Sequence, residues 1–250
     1  VIIRLLREDK PFSYKSDWFE LNDAQLQIKP LQEDIPIVAA STISPAGMKA
    51  AGKYGVGVIS IASASEEGLA ALPTQWAFGE TYAAESGNVM DRSKWRINSN
   101  WHIAPTREQA FEEVAEGMLH HHNEYNVGIL GRAKTERETD GMAMAKRAAA
   151  SGAALIGTPD DAIAAIANLQ QKSGGFGTLI GFAHDWAPRE AQLRSFEMMA
   201  RYVIPRVQGL IEPVQRSADF VSEHKGELME AAGAAVLNAI RQHNVSHPRA

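Results

Sequence analysis

The chain has 250 residues, 45% of them hydrophobic and 22% charged, with a formal net charge of -5. That composition belongs to a globular protein with a sizeable core, and the acidic balance argues against nucleic acid as a partner. Cysteine is absent, which excludes disulfides, thiolate metal sites and a cysteine nucleophile, and no apolar run reaches the ~18 residues of a membrane span.

The chain opens without Met, and Val1, Ile2, Leu5 and Leu6 recur at helical spacing with no capping residue before them. This reads as the last turns of a helix that begins outside the chain, and not as a signal peptide. Residues 12–30 alternate aromatic and polar side chains, the pattern of a short hairpin or irregular excursion. Ile35–Ser41 is a short apolar run and is expected to be a buried strand. Ser44-Pro45 then starts a helix, with Ser44 as N-cap and Pro45 as the first helical residue, running through Met48, Ala51 and Tyr54 to Gly55. Val56–Ala62 is a second buried strand, and residues from Leu69 to about Ser86 have helical spacing. Trp95–Ala104 alternates like a strand.

Thr106-Arg-Glu-Gln109 resembles a capping box and opens a helix to about Tyr125. Residues 126–152 are rich in Gly, Ala and charge with weak periodicity, and read as a mobile excursion. Thr158-Pro-Asp-Asp161 starts a further helix, Phe176–Ala183 is another buried strand, and Pro188 begins a helix ending near Pro205. Residues 206–250 are amphipathic helix with a polar end. Strands alternating with helices imply parallel βα units. The fold class is α/β, and about four units with a leading stub of helix match part of a (β/α)8 barrel better than a free-standing open sheet. Residues 1–209 form the barrel portion and 210–250 a helical extension.

Four groups of residues could carry chemistry. Behind the first strand, Ser44 and the amides of Ala46, Gly47 and Met48 lie at a helix N-terminus, where free N–H groups suit a phosphate and Gly47 permits close approach. An ordinary Ser-Pro cap is the plainer reading of the same residues. His184, followed by Asp185 and Trp186, comes directly after the last strand, where barrels place their active sites; a loop histidine paired with Asp185 is the alternative. His102 shares its strand with Asn98, Asn100 and Trp101, which suits either a lined cavity or a satisfied core histidine. His120, His121 and His122 are adjacent on a helix and diverge by roughly 100° each, so they are not expected to bind one metal.

From Tyr14 to about Gly209 the chain resembles the bacterial luciferase-like flavin monooxygenases, in the branch of the limonene and alkanal monooxygenases. The resemblance rests on the order and spacing of several segments. They are Tyr14–Leu21, Ile37–Ser41 with Ser44–Gly47 and Ala50–Gly55, Trp95-Arg96, His102–Ala104 with Thr106–Ala110, Gly157–Asp161, Ser173–Thr178, Ala183–Ala187 and Ala200–Pro205. It implies a TIM-type barrel binding reduced FMN at its C-terminal mouth, dioxygen as co-substrate, and a separate flavin reductase. It also implies that the first barrel strands are missing, so that the chain is a C-terminal half with little activity of its own. Ser44 and Gly47, with the amides of Ala46 and Met48, match the family's phosphate loop; Ser60 and Ile61 match positions beside the flavin ring. The expected substrate is small and apolar, a terpene such as limonene or an aldehyde. The expected location is cytoplasmic, with no membrane or nucleic acid as partner, and a homodimer is compatible. A deazaflavin-dependent oxidoreductase of the same superfamily and a non-catalytic, truncated barrel subunit are the alternatives.

Overall fold

The structure is a computed structural model and describes residues 1–32, 35–61, 63, 65–131 and 136–246. A short helix α1 (Ile2–Arg7) leads into an antiparallel hairpin of β1 (Phe12–Lys15) and β2 (Glu20–Ala24). The parallel part follows: β3 (Val38–Ser41), α2 (Ala46–Tyr54), β4 (Gly57–Ser60), α3 (Glu66–Glu85), β5 (Trp95–Ile103), α4 (Arg107–His120), α5 (Gly141–Ser151), β6 (Ala154–Gly157), α6 (Pro159–Ser173), β7 (Thr178–Phe182) and α7 (Arg189–Met198). The chain then passes through α8 (Ile204–Val207) into α9 (Glu212–Glu223) and α10 (Lys225–Ser246). Among the described residues no helix is long and apolar enough to cross a membrane.

Among the described residues the βα units are five, one more than the sequence predicts. The stretch expected to be a mobile excursion holds α5, and β6 follows it at once. Asp140 caps α5 by accepting from the amide of Ala143, and Gly152 ends it in the left-handed region at φ 82°. Before α5, π-helical turns from His121 to Ile129 prolong α4 beyond its expected end at Tyr125. Thr158 and Asp161 form a reciprocal capping box on α6. At Thr106 only half of such a box forms: Thr106 accepts from the amide of Gln109, while the Gln109 side chain turns to Glu113.

The strand order is β3-β4-β5-β6, with β7 also on β5. Strand β5 is long enough for three parallel partners. Its residues 95–97 pair with β4, 96–100 with β7 and 100–103 with β6. Because β4 and β7 overlap at Arg96 and Ile97, they occupy opposite edges. Strand β7 lies against β5 rather than the four-residue β6, so the five strands form an open, incomplete barrel. Helices α2 and α3 cover one part of the sheet through Met48, Leu72 and Trp76 against Val58, Trp95 and Ile97. Helices α4 and α5 pack on Ala104 and Ile156, and α6 with the turns after α7 packs on Ile103 and Leu155.

Candidate functional site

Parallel strands deliver their C-terminal ends to one rim: Ser41, Ser60, Ile103, Gly157 and Phe182 end the five strands. The first helix of this rim is drawn unusually close. A Cβ on Gly47 would lie 2.2 Å from the Ala40 carbonyl oxygen and 2.5 Å from Ser41 Cα, so only glycine lets α2 sit so tightly on the end of β3. The close approach that glycine permits is thus to the protein's own strand. The N-cap is Pro45, not Ser44, and no side chain caps the helix. Position explains this: with Pro45 at the cap, Ser44 lies one residue too early, and its exposed side chain flanks the helix end. The amides of Ala46, Gly47 and Met48 precede the first intrahelical bond, made by Lys49 to Pro45, and have no helical acceptor.

Beside this helix end lies a buried polar cluster. Ser60 Oγ accepts from Trp95 Nε1 at 3.0 Å, and Trp95 stacks on Trp76 with ring centroids 4.6 Å apart. Ser63 Oγ accepts from the Asn98 amide and lies within reach of the carbonyls of Ser60 and Asn98, 2.7 and 2.6 Å away. A hydroxyl has one proton, so it satisfies one of these carbonyls at a time. Asn98 Nδ2 donates to the Ile61 carbonyl, which ties the ends of β4 and β5 together. Asn98 Oδ1 and Asn100 Oδ1 are buried without a donor among the described residues. Ser63 and Ser99 also line a groove of about 280 Å³ that runs past Leu155 to Asn168 and Lys172.

His102 closes the other end of β5. Its Nε2 lies 2.8 Å from Glu113 Oε2, and the second Glu113 oxygen accepts from Gln109 and from Arg194. Glu113 is held below the usual carboxylate range: burial opposes this, but hydrogen bonds from His102, Gln109 and Arg194 outweigh it. The His102 pKa is pushed down by burial, against the pull of Glu113. Neutral His102 therefore donates Nε2–H to the carboxylate and keeps its Nδ1 lone pair. His184, just past β7, stacks on Trp186 at 4.8 Å and faces His121 at the same distance. Burial, then the neighbouring His121, lowers the His184 pKa. His102, His184, Trp101 and Trp186 share a crevice of about 10 Å³, room for one water.

The rim thus collects Ser44, the amides of residues 46–48, Ser60 and Ile61 on one side, and His102 and His184 on the other. The three adjacent histidines part company: His121 packs on His184, while His122 bonds the Glu136 carbonyl 2.8 Å away. Residues missed from sequence are Ser63, Glu113 and Arg194. Glu113 stands four residues after Gln109 on the same helix face, a spacing visible in the sequence; Arg194 is joined only by the fold.

Residues 1–175 match the family model described as luciferase-like monooxygenase. Over 226 residues the chain is 37% identical to 4-hydroxyprotoasukamycin monooxygenase of Streptomyces nodosus subsp. asukaensis, spanning 89% of this chain and 61% of that protein. It is 36% identical over 215 residues to limonene 1,2-monooxygenase of Rhodococcus erythropolis, spanning 85% and 54%. The chain therefore covers rather more than half the length of these relatives. Among solved structures, monooxygenase RslO1 from Streptomyces bottropensis superposes with a TM-score of 0.65 at 20% identity, over 81% of this chain and 57% of that one. The oxygenating constituent of 3,6-diketocamphane monooxygenase from Pseudomonas putida, in complex with FMN, gives 0.59 at 23%, over 81% and 60%. An F420-dependent secondary alcohol dehydrogenase gives 0.54 at 20%, over 82% and 58%. These likenesses establish the barrel-type fold. With the parallel βα units, the rim they build and the family match over most of its length, the chain belongs to the luciferase-like monooxygenases.

Proposed function

We propose that the protein carrying this chain is a flavin-dependent monooxygenase that takes reduced FMN from a reductase and, with dioxygen, oxygenates a small apolar substrate such as a terpene or aldehyde. The observation that carries the reading is the pair of buried, donor-less oxygens, Asn98 Oδ1 and Asn100 Oδ1, on the strand that adjoins Ser60 and Ile61. A buried acceptor without a donor costs about 1–3 kcal/mol, and a flavin ring edge offers the N–H groups that would relieve it. Beyond the end of β3 the free amides of Ala46, Gly47 and Met48, with the Ser44 hydroxyl, suit a phosphate, because a helix N-terminus carries roughly half a positive charge.

The bound flavin supplies the redox and oxygen chemistry, and the chain supplies orientation and a dry pocket. Ser44 and the α2 amides fix the phosphate, Ser60 and Ile61 border the ring, and the Asn98 and Asn100 oxygens accept from its edge. Neutral His102 and His184 add no positive charge of their own to the mouth, which suits an uncharged substrate.

The test uses the full-length protein. Charge-assisted hydrogen bonds are worth about 1.5–3 kcal/mol, so Ser44→Ala should weaken FMN several-fold or more while leaving riboflavin, which lacks the phosphate, unchanged. Equal losses for both ligands remove the phosphate role. With a reductase, FMN and ¹⁸O₂, one labelled oxygen should enter limonene or an aldehyde. Turnover with deazaflavin and none with FMN would replace this reading by the reductase alternative.

A further inference from the structure

Strand β5 and helices α4 and α7 meet at Glu113, which divides its two oxygens between them. Oε1 accepts from Gln109 on α4 at 2.7 Å and from Arg194 on α7, while Oε2 faces His102 Nε2 on β5 at 2.8 Å. The side chains of His102 and Glu113 are only 4% and 16% exposed. A carboxylate can only accept, so Nε2 carries the ring proton and Nδ1 is left bare. Nδ1 has no partner among the described residues, and it is not sealed from water as Trp186 Nε1 is.

The space beside His102 is the rim crevice of about 10 Å³, walled by Trp101, His184, Trp186 and Ser195. Helix α4 also holds the far wall. Gly117, one turn after Glu113, lets the loop after β7 lie against the helix, since a Cβ there would stand 2.5 Å from Trp186 Cα. Ser195 Oγ accepts from the Ile103 amide at 2.9 Å, and its own proton has no acceptor among the described contacts. A bare nitrogen and a hydroxyl proton are two polar partners, the fewest that hold a buried water.

We propose that Glu113 is a positioning residue that sets the hydrogen-bond polarity of this crevice. Through His102 it presents an acceptor there, so the crevice binds one hydrogen-bond donor, a single water held between His102 Nδ1 and the Ser195 hydroxyl.

Nitrogen NMR of the full-length protein, ¹⁵N-labelled in its histidine rings, tests this at about pH 8, above the ordinary histidine range. The His102 signals are those that vanish in His102→Gln. In the native protein Nε2 should be protonated and Nδ1 bare, and the ring Cε1–H should show a cross-peak to a long-lived bound water. Glu113→Gln should exchange the states of the two nitrogens. Gln109 and Arg194 still require an oxygen, so the new amide turns its NH2 toward His102, which must then accept at Nε2 and carry its proton on Nδ1. A residue that only braced the fold would lower the melting temperature without this inversion. Ser195→Ala should lose the water cross-peak and keep the native tautomer. Native His102 protonated at Nδ1 overturns the proposal, and that spectrum decides the matter even where a variant does not fold. So does a native ring without bound-water contact, a folded Glu113→Gln protein with the native tautomer, or a water cross-peak undiminished in Ser195→Ala.

Discussion

Replacing Gly47 by alanine adds one methyl group where α2 meets β3. The new carbon would lie 2.2 Å from the Ala40 carbonyl oxygen, 2.5 Å from Ser41 Cα and 2.7 Å from Ser41 Cβ. None of these atoms can swing aside by changing a rotamer. Relief needs the helix to retreat by about 1 Å, and a gap of ~0.5–1 Å forfeits a quarter to a half of each dispersion contact. Met48 and Ala51, both fully buried, would lose that fit against Val58, Leu72 and Trp76. Overpacking costs ~1–3 kcal/mol, and the upper half applies where backbone is struck. Alanine returns roughly 0.5–1 kcal/mol of helix preference. The net loss is about 1–2 kcal/mol, a fall in Tm of roughly 2–8 °C for a domain of this size. Differential scanning calorimetry reads it directly. Gly79 on α3 is the comparison: its Cβ would meet Met90 Cε at 2.8 Å, the movable tip of a flexible side chain. Gly79→Ala should therefore melt near the parent. A Gly47→Ala protein that melts at or above the parent would show that the strand and helix are not locked together as described.

Trp95→Phe removes the donor to Ser60 and part of the Trp76 stack, and should cost about 2–4 kcal/mol in denaturant titration; adding Ser60→Ala should recover part of it, because the orphaned hydroxyl goes too. Thr158→Ala removes the cap of α6 and should cost ~1 kcal/mol; no change in melting would refute the cap's contribution. Native His102 binds its proton at lower pH than the unfolded chain does, so stability is fully present above about pH 6.5 and is lost as pH falls through the lower native value. His184 acts in the same direction, and His102→Gln should flatten part of the decline in Tm between pH 7 and 5; parallel curves for both proteins would exclude His102 as a source. His184→Ala in the full-length protein should lower turnover or flavin affinity, and unchanged values for both would take it out of the mouth.

What the sequence made legible were elements whose signals are local. Pro45, Gly55, Thr158 and Pro159 mark helix ends through their own backbone preferences; Thr158 and Pro159 sit where expected, and the α2 start shifts by one residue, from Ser44 to Pro45 as the cap. Helix α5 escaped because its buried face is only Gly141 and Ala145, too small to register as apolar periodicity, although Asp140 and Gly152 bracket it with ordinary cap signals. Strand β6 escaped because all four of its residues are buried, which erases alternation, and because it runs straight into the α6 cap. The polar residues of β5 were conspicuous in sequence, but their partners were not. Ser63 reaches Asn98 across thirty-five positions and Arg194 reaches Glu113 across eighty-one, distances that no periodicity spans.

Strand β5 also sets a timetable. One of its edges is taken by β4, which precedes it in the chain, and the other by β7, which ends 79 residues after β5 does. At roughly 5–20 residues per second, synthesis leaves that second edge without its partner for about 4–16 s. During this interval the nascent chain presents a row of unpaired backbone groups over Arg96–Asn100, with Trp95 next to it and Ile97 within it, both fully buried in the finished fold. The most enclosed strand of the completed protein is thus its most vulnerable segment while it is being made.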